Sequence, residues 1–302
     1  MRLVVKVAGQ LLDDATAMET LARQVAQLAH QGHEILVVHG GGKIFTATLK
    51  RMGIESKFVN GLRVTDRETR DVAVMVLGGL LNKRLAGAIS AAGQPAIGVC
   101  AADASCFLAE PMMHDEVIGG LGFVGYLTGV NLEILESFWK AGVVPVASCM
   151  GLGADGELYN INADHMAAAC AEYVHADRLI YLTDVAGVLD GEKVLKVVST
   201  ADAEDMIRQN KVSGGMILKL EACKRALSAG VAEVRIVGGS VPKGLLAAAN
   251  GARFPGTRVT SEFSLEAGRN RSGHDFLIEC GIRANADRLP HPCITEIDHG
   301  RD

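Results

Sequence analysis

Aromatic residues make up only 4% of this 302-residue chain, with one tryptophan, whereas glycine is abundant at 35. That balance suits an α/β protein with many strand-to-helix turns. No apolar run reaches the roughly 20 residues that cross a bilayer, so no membrane span is expected. Met1-Arg2 leads straight into an apolar segment, which leaves no room for a signal peptide. Positive charge is not in excess: 30 Lys and Arg stand against 35 Asp and Glu, a formal net charge of −5. A nucleic-acid binder would present a basic face, so that class is excluded. Paired cysteines are also missing. The seven cysteines, at 100, 106, 149, 170, 223, 280 and 293, are odd in number and scattered, several in apolar segments. Reduced thiols in a cytoplasmic protein are therefore expected. There is no internal repeat and no low-complexity linker.

What is present is a globular balance, 49% apolar and 22% charged, over a length that builds one large or two medium domains. The most informative stretch is Val37-Val38-His39-Gly40-Gly41-Gly42. The apolar segment 35–38 stops at three glycines, and a helical pattern follows over 43–52. A glycine turn at the carboxyl end of a strand lets backbone N–H groups approach an anion, and the helix N-terminus adds a positive dipole end. A second such turn follows Val4-Val5-Lys6-Val7-Ala8-Gly9 and carries a lysine. Two anion-binding turns and a lysine point to phosphate chemistry. The plainer alternative for 40–42 is a tight βα turn alone. The turn is not a Walker A loop, because Ile44 follows Gly42-Lys43 where Ser or Thr is required. A formal G-x-G-x-x-G at Gly151, Gly153 and Gly156 runs into the alternating Glu157-Leu158-Tyr159-Asn160-Ile161, so it reads as a hairpin turn.

Along the chain, strands are expected at 3–7, 34–38, 95–99, 143–147, 178–182 and 233–237. Helices are expected at 15–31, 66–89, 164–172 and 218–229, with a hairpin at 119–128. Thr65 is the expected N-cap of the second of these helices, with Glu68 completing a capping box. Alternating units with wholly apolar strands imply a mostly parallel sheet covered on both faces. After Thr257 the periodicity weakens. Residues 261–302 form a tail with only a strand hint at 276–282. Its His274, Cys280, His291, Cys293 and His299 lack the paired spacing of a zinc site, so a solvated tail or surface wrap is expected there.

Three segments carry further chemistry. In Asn60-Gly61-Leu62-Arg63-Val64-Thr65, an arginine between a glycine and a helix start suits two-pronged binding of a carboxylate, although the segment alone fits a surface arginine better. Asn160, Asn162 and Asp164 alternate at the mouth of a helix, either to orient a ligand or simply to cap the helix. Ser213-Gly214-Gly215 is a flexible entry to a helix that carries Lys219 in its first turns.

Together these segments resemble the acetylglutamate kinases of the amino acid kinase family, over about residues 2–258. The resemblance rests on 37–42, 60–65, Asn-Ile-Asn-Ala-Asp at 160–164, Leu-Thr-Asp-Val-Ala-Gly-Val-Leu at 182–189, and Ser-Gly-Gly-Met-Ile-Leu-Lys at 213–219. It implies a three-layer α/β/α sandwich around a mostly parallel sheet. Residues 1–176 would form an acyl-amino-acid lobe and 177–260 a nucleotide lobe. It implies phosphoryl transfer from ATP to the side-chain carboxylate of N-acetyl-L-glutamate, with Mg2+ carried by the nucleotide and no metal site in the protein. Lys6 and Lys219 would stabilise the transferring group, and Asp164 would organise the two lysines. Gly41, Gly42, Arg63 and Asn160 would bind the acyl-amino acid. Gly9 belongs to the first phosphate loop. Asp184, Val185, Ala186, Gly187, Val188 and Leu189, with Lys211, Val212 and Ser213, would hold ATP.

Two departures from the family pattern stand out. Ala8 replaces the first glycine of Lys-x-Gly-Gly, where its methyl group would crowd the phosphate approach or fix a different backbone angle. Ala101-Ala102-Asp103-Ala104-Ser105 stands where relatives often carry Gly-x-Asp-Gly. Arginine-inhibited members have an extra helix before the first strand, for which this chain leaves no residues. A homodimer insensitive to arginine is therefore expected. Its surface would be the helix from Thr65 to Ile89, whose Val72, Val74, Met75, Val76, Leu77 and Leu80 cannot all face one core.

Overall fold

A computed structural model describes residues 1–113, 120–251 and 253–261. The tail's candidate ligands and its strand hint at 276–282 lie outside the described residues. The chain opens with β1 (Arg2–Val7), α1 (Ala15–His30), β2 (Glu34–His39) and α2 (Gly42–Arg51). A short hairpin, β3 (Phe58–Val59) and β4 (Leu62–Arg63), precedes the long helix α3 (Arg67–Ala91). Then come β5 (Ala96–Val99), β6 (Phe107–Pro111), β7 (Gly125–Val130), α4 (Leu132–Lys140), β8 (Val144–Ser148), β9 (Met150–Leu152), β10 (Leu158–Asn160) and α5 (Ala163–Tyr173). The last part holds β11 (Arg178–Thr183), β12 (Leu189–Asp190), β13 (Lys193–Val194), β14 (Val197–Ser199), α6 (Thr200–Arg208), α7 (Gly215–Ser228), β15 (Glu233–Gly238), α8 (Gly244–Asn250) and β16 (Gly256–Thr260).

The main sheet has eight strands in the order β14-β16-β15-β11-β1-β2-β8-β5. Every neighbouring pair is parallel except β15 and β16. Its central strands are buried on both faces, which is why they read as unbroken apolar runs: Leu3, Val4, Val5, Ile35, Leu36, Val37 and Val38 are all fully buried. Helix α1 packs with the end of α3 and with α8, while α5 and α7 pack together and α6 rests on α7. A second sheet, β10-β9-β6-β7, sits beside the first. The glycine-rich segment at 151–156 is the turn of its β9–β10 hairpin, as its alternation requires. Chain order reverses at β1: β2 follows on one side and β11 is added later on the other. The carboxyl ends of these strands therefore flank a crevice of the kind that binds ligands in open α/β sheets.

Two expectations need correction, and α3 has two features beyond what its sequence indicates. Asp66, not Thr65, caps α3, its carboxylate accepting from the Thr69 N–H at 2.8 Å. Thr65 is held elsewhere, exchanging backbone hydrogen bonds with Leu121 and Phe123. The strand expected within a 119–128 hairpin is β7, and its partner is the upstream β6. Helix α3 is not uniform: its middle, Val74–Leu81, is π-helical. Finally, α3 is long and apolar enough to pass as a membrane span by length and composition alone, although half of its apolar window is buried in the protein.

Candidate active site

Lys6 lies on β1, one residue from the strand's carboxyl end, beside Val38 and Tyr181 in the register. Asp164 lies in the first turn of α5, a helix capped by Asn162, whose side-chain oxygen accepts from the N–H groups of Asp164 and His165 at 2.9 and 3.2 Å. Asn162 is thus the ordinary cap, and the Asp164 side chain is left for other work. Lys219 sits one turn into α7. The three side chains converge: Lys6 Nζ is 2.8 Å from Asp164 Oδ1, and Lys219 Nζ is 2.9 and 3.0 Å from its two oxygens.

All three groups are buried, at 8%, 8% and 5% exposure in chain order. Burial raises the Asp164 carboxyl, but Lys6 and then Lys219 outweigh it and hold it at about 2. Burial, reinforced by repulsion from Lys6, pulls Lys219 below the ordinary lysine value while Asp164 opposes both. Tyr181 braces the group from beneath. Its ring centroid is 5.0 Å from Lys219 Nζ, and its hydroxyl donates to the Asp164 carbonyl at 3.1 Å. With the lysines protonated, two positive charges meet one negative charge in a dry pocket.

The two glycine turns meet next to this cluster. Val7 pairs with His39, so the loops after β1 and β2 leave the sheet side by side. A Cβ on Gly9 would stand 2.5 Å from the Gly42 nitrogen and 2.6 Å from its Cα. A Cβ on Gly41 would meet Leu77 Cδ2 at 2.2 Å, and Gly42 has φ +45°. Glycine is required at Gly9 by the Gly42 backbone, and it is favoured at Gly42 by its φ and at Gly41 by Phe45 Cβ, 2.8 Å from where a Cβ would stand. Ala8 is extended at φ −66° and ψ 139°, a conformation any residue adopts, so its methyl group imposes no unusual angle. At the other departure the backbone keeps the shape glycine favours: Ala104 and Ser105 both have φ 49°.

Arg63, at the end of the β3–β4 hairpin, is sandwiched between the rings of Phe45 and Phe58 at 4.7 and 4.5 Å. It donates to Thr46 Oγ1 at 2.9 Å and to Ser56 Oγ. Thr65 links it to Asn160: its hydroxyl donates to the Arg63 carbonyl at 2.8 Å and accepts from Asn160 Nδ2 at 3.2 Å. Sequence reasoning missed this role because Thr65 looked like a cap. The hairpin also reaches α7, since a Cβ on Gly61 would lie 2.8 Å from Leu218 Cδ1, next to Lys219.

The remaining candidates follow β11 or precede α7. Asp184 and Ala186 are exposed, and Val185 and Ala186 approach Gly238 at the end of β15. Gly187 packs on Thr257 and Val194, and the Val188 N–H donates to Thr257 Oγ1 at 2.9 Å. Leu189 opens the small β12–β13 hairpin. Lys211 and Ser213 are exposed just before α7. The side chains of Val188 and Val212 are in the core, and the Val188 main chain is itself bonded to Thr257 and Leu195. Among the described residues no group of three His, Cys, Asp or Glu is placed to hold a metal.

The chain matches the amino acid kinase family over residues 1–238. The chain belongs to this family. It is 52% identical over 240 residues to the acetylglutamate kinase of Koribacter versatilis (strain Ellin345), covering 78% of this chain and 90% of that one. It is 45% identical over 238 residues to the acetylglutamate kinase of Acidobacterium capsulatum, with the same two coverages. The N-acetylglutamate synthase of Neisseria gonorrhoeae, solved with coenzyme A and N-acetyl-glutamate, superposes with a TM-score of 0.77 at 22% identity, over 93% of this chain and 66% of that one. At that identity the likeness concerns the fold. The amino acid kinase fold accounts for the sheet order and for the crevice where the two glycine turns meet.

Proposed function

We propose that this family member is an acetylglutamate kinase, transferring the γ-phosphoryl group of ATP to the side-chain carboxylate of N-acetyl-L-glutamate, the chemistry by which arginine biosynthesis activates that carboxylate. The observation that carries the reading is one buried carboxylate gripped by two lysines from β1 and α7, beside paired glycine turns. The relatives named above support the choice of substrate.

The chemistry asks little of a base. The acceptor carboxylate has a reference pKa of about 4.3 and is already ionised near neutrality. One of its oxygens bonds to the γ-phosphorus while the bond to the β,γ-bridging oxygen breaks and ADP leaves. The obstacle is bringing an anion to a polyanion, so positioning and positive charge do most of the work. Lys6 and Lys219 supply the charge, and Asp164 keeps both side chains aimed. Gly9, Gly41 and Gly42 present backbone N–H groups. Arg63 and Asn160 hold the acyl-amino acid, and the segments at 184–189 and 211–213 hold the ATP. Mg2+ carried by the nucleotide would neutralise part of the phosphate charge.

Residues 1–176 then serve the acceptor and 177–260 the nucleotide. The sheet's order supports this division, with β11, β14, β15 and β16 on one side of β1 and β2, β5 and β8 on the other. The proposal includes a homodimer through α3, where Met75 and Leu80 are 54% and 41% exposed while Val72, Val76 and Leu77 face the core. Light scattering on a sizing column tests it. The five described cysteines are free thiols, which supports a cytoplasmic setting. Purified protein with Mg-ATP is expected to form a hydroxylamine-trappable acyl phosphate from acetylglutamate. Product from acetylaminoadipate alone would reassign the chain to a sister kinase.

A further inference from the structure

The turn after β2 is tied down by a side chain that the proposed reaction does not use. His39 ends β2 and is fully buried. Its Nδ1 lies 3.1 Å from the Gly40 carbonyl oxygen, and its Nε2 lies 3.2 Å from Asn82 Nδ2. Asn82 Nδ2 is also 2.8 Å from the Val146 carbonyl. A carbonyl only accepts, so the Asn82 atom facing Val146 is its nitrogen, and the second hydrogen of that nitrogen points at His39. Nε2 therefore accepts, and in a neutral ring the proton sits on Nδ1. Nδ1–H donates to Gly40. Burial lowers the pKa of this imidazole to about 4, more than the Gly40 carbonyl raises it.

The Gly40 carbonyl and the Gly41 N–H share one planar trans peptide, in which they point in opposite directions. Side chains alternate across a strand, and parallel partners in register share a face. His39 pairs with Val7, whereas Lys6 pairs with Val38, so His39 and Lys6 lie on opposite faces of the sheet. A Gly40 carbonyl drawn toward His39 turns the Gly41 N–H the other way, toward the face of Lys6. Three successive glycines would not hold that direction unaided.

We propose that His39 is a positioning residue: with its tautomer set by Asn82, it fixes the Gly40–Gly41 peptide so that the Gly41 N–H faces the acceptor carboxylate. This rests on the reading that Gly41 binds the acyl-amino acid.

Two variants separate the hydrogen bonds. The Asn amide of His39→Asn occupies the place of Nδ1 and keeps a donor to Gly40. The amide of His39→Gln occupies the place of Nε2, so it keeps the Asn82 contact and loses that donor. In steady-state assays, His39→Asn is expected within about threefold of wild type. His39→Gln is expected to raise KM for acetylglutamate at least tenfold, with KM for ATP unchanged. Thermal stability should run the other way, because Asn leaves more space in the core. Equal KM values for acetylglutamate in the two variants, or a rise confined to ATP, overturn the proposal. Nitrogen NMR of wild type with labelled histidine decides even if neither variant folds: a proton on Nδ1 of His39 supports the proposal, and one on Nε2 overturns it. A wild type that forms no acyl phosphate from acetylglutamate removes the functional reading and the proposal together. An active wild type with two indistinguishable variants removes the proposal alone.

Discussion

Replacing Asp164 with Asn keeps the shape of the side chain and removes its charge. Lys6 and Lys219, which stand 2.8–3.0 Å from the carboxylate oxygens, are then left with at most a neutral amide oxygen as acceptor, no opposite charge and little access to water. Breaking a buried ion pair by removing one partner costs about 3–5 kcal/mol. The carboxyl gives a second measure: it is held at about 2 against an ordinary 3.8, a difference worth about 2 kcal/mol. That figure counts only the preference for the ionised form, so it is the lower bound. The sign follows from the direction. A carboxyl whose folded pKa is depressed contributes stability above its unfolded pKa, near 4, and loses it as pH falls toward 2. Urea unfolding should therefore find Asp164→Asn about 2–5 kcal/mol less stable than wild type at pH 7. The gap should narrow below pH 4. Lys219 is already drawn below the ordinary lysine value by burial and by Lys6. Without Asp164 it sheds its proton more readily, so the variant should regain part of the loss toward pH 9. A gap under about 1 kcal/mol at pH 7, or one that stays constant down to pH 3, would refute this account of the cluster.

Lys6→Ala and Lys219→Ala are expected to lower kcat, each by about a hundredfold or more, on the order of 3 kcal/mol of transition-state stabilisation; steady-state kinetics that show only a higher KM would make the lysine a ground-state binder. Arg63→Lys keeps the charge but loses the planar fork and the stack between Phe45 and Phe58. It should raise KM for acetylglutamate much more than KM for ATP, and equal effects on both substrates would contradict the assignment. Gly9→Ala drives a methyl group into the Gly42 backbone and should destabilise the fold by about 1–3 kcal/mol while abolishing most activity. By contrast, Ala104→Gly relieves a left-handed alanine at φ 49° and should be neutral or stabilising by up to about 1 kcal/mol in urea unfolding.

The central strands were legible because burial on both faces leaves nothing to alternate; 35–38 and 178–182 could hardly be anything else. Shorter or edge elements were not. Phe107–Pro111 and Gly256–Thr260 are five-residue strands whose partners are set by the tertiary fold. The π-helical middle of α3 was hidden for a different reason. Val74–Leu81 is apolar throughout apart from two glycines, so no periodicity remains to report a change of pitch. Thr65 and Asp66 are both good caps in sequence. Backbone hydrogen bonds to Leu121 and Phe123 hold Thr65 outside the helix and leave the cap to Asp66.

The Lys6–Asp164–Lys219 cluster of the candidate site was legible only through the resemblance, and the physics explains why. Asp164 in a helix's first turn reads as a dipole partner, and Lys219 in an early turn of another helix reads as a solvated lysine. Neither local reading anticipates that both side chains turn inward. The fold makes them meet: α5 packs on β1 and on α7, so Asp164 on α5 stands between Lys6 of β1 and Lys219 of α7. One carboxylate between two ammonium groups is also an incomplete charge arrangement. A structural ion pair would be neutral, because an uncompensated buried charge is strongly destabilising. Under the proposed function a phosphoryl anion would complete the surplus positive charge, and the glycine turns beside it, where a Cβ at Gly9 would run into the Gly42 backbone, would offer backbone N–H groups to the same anion.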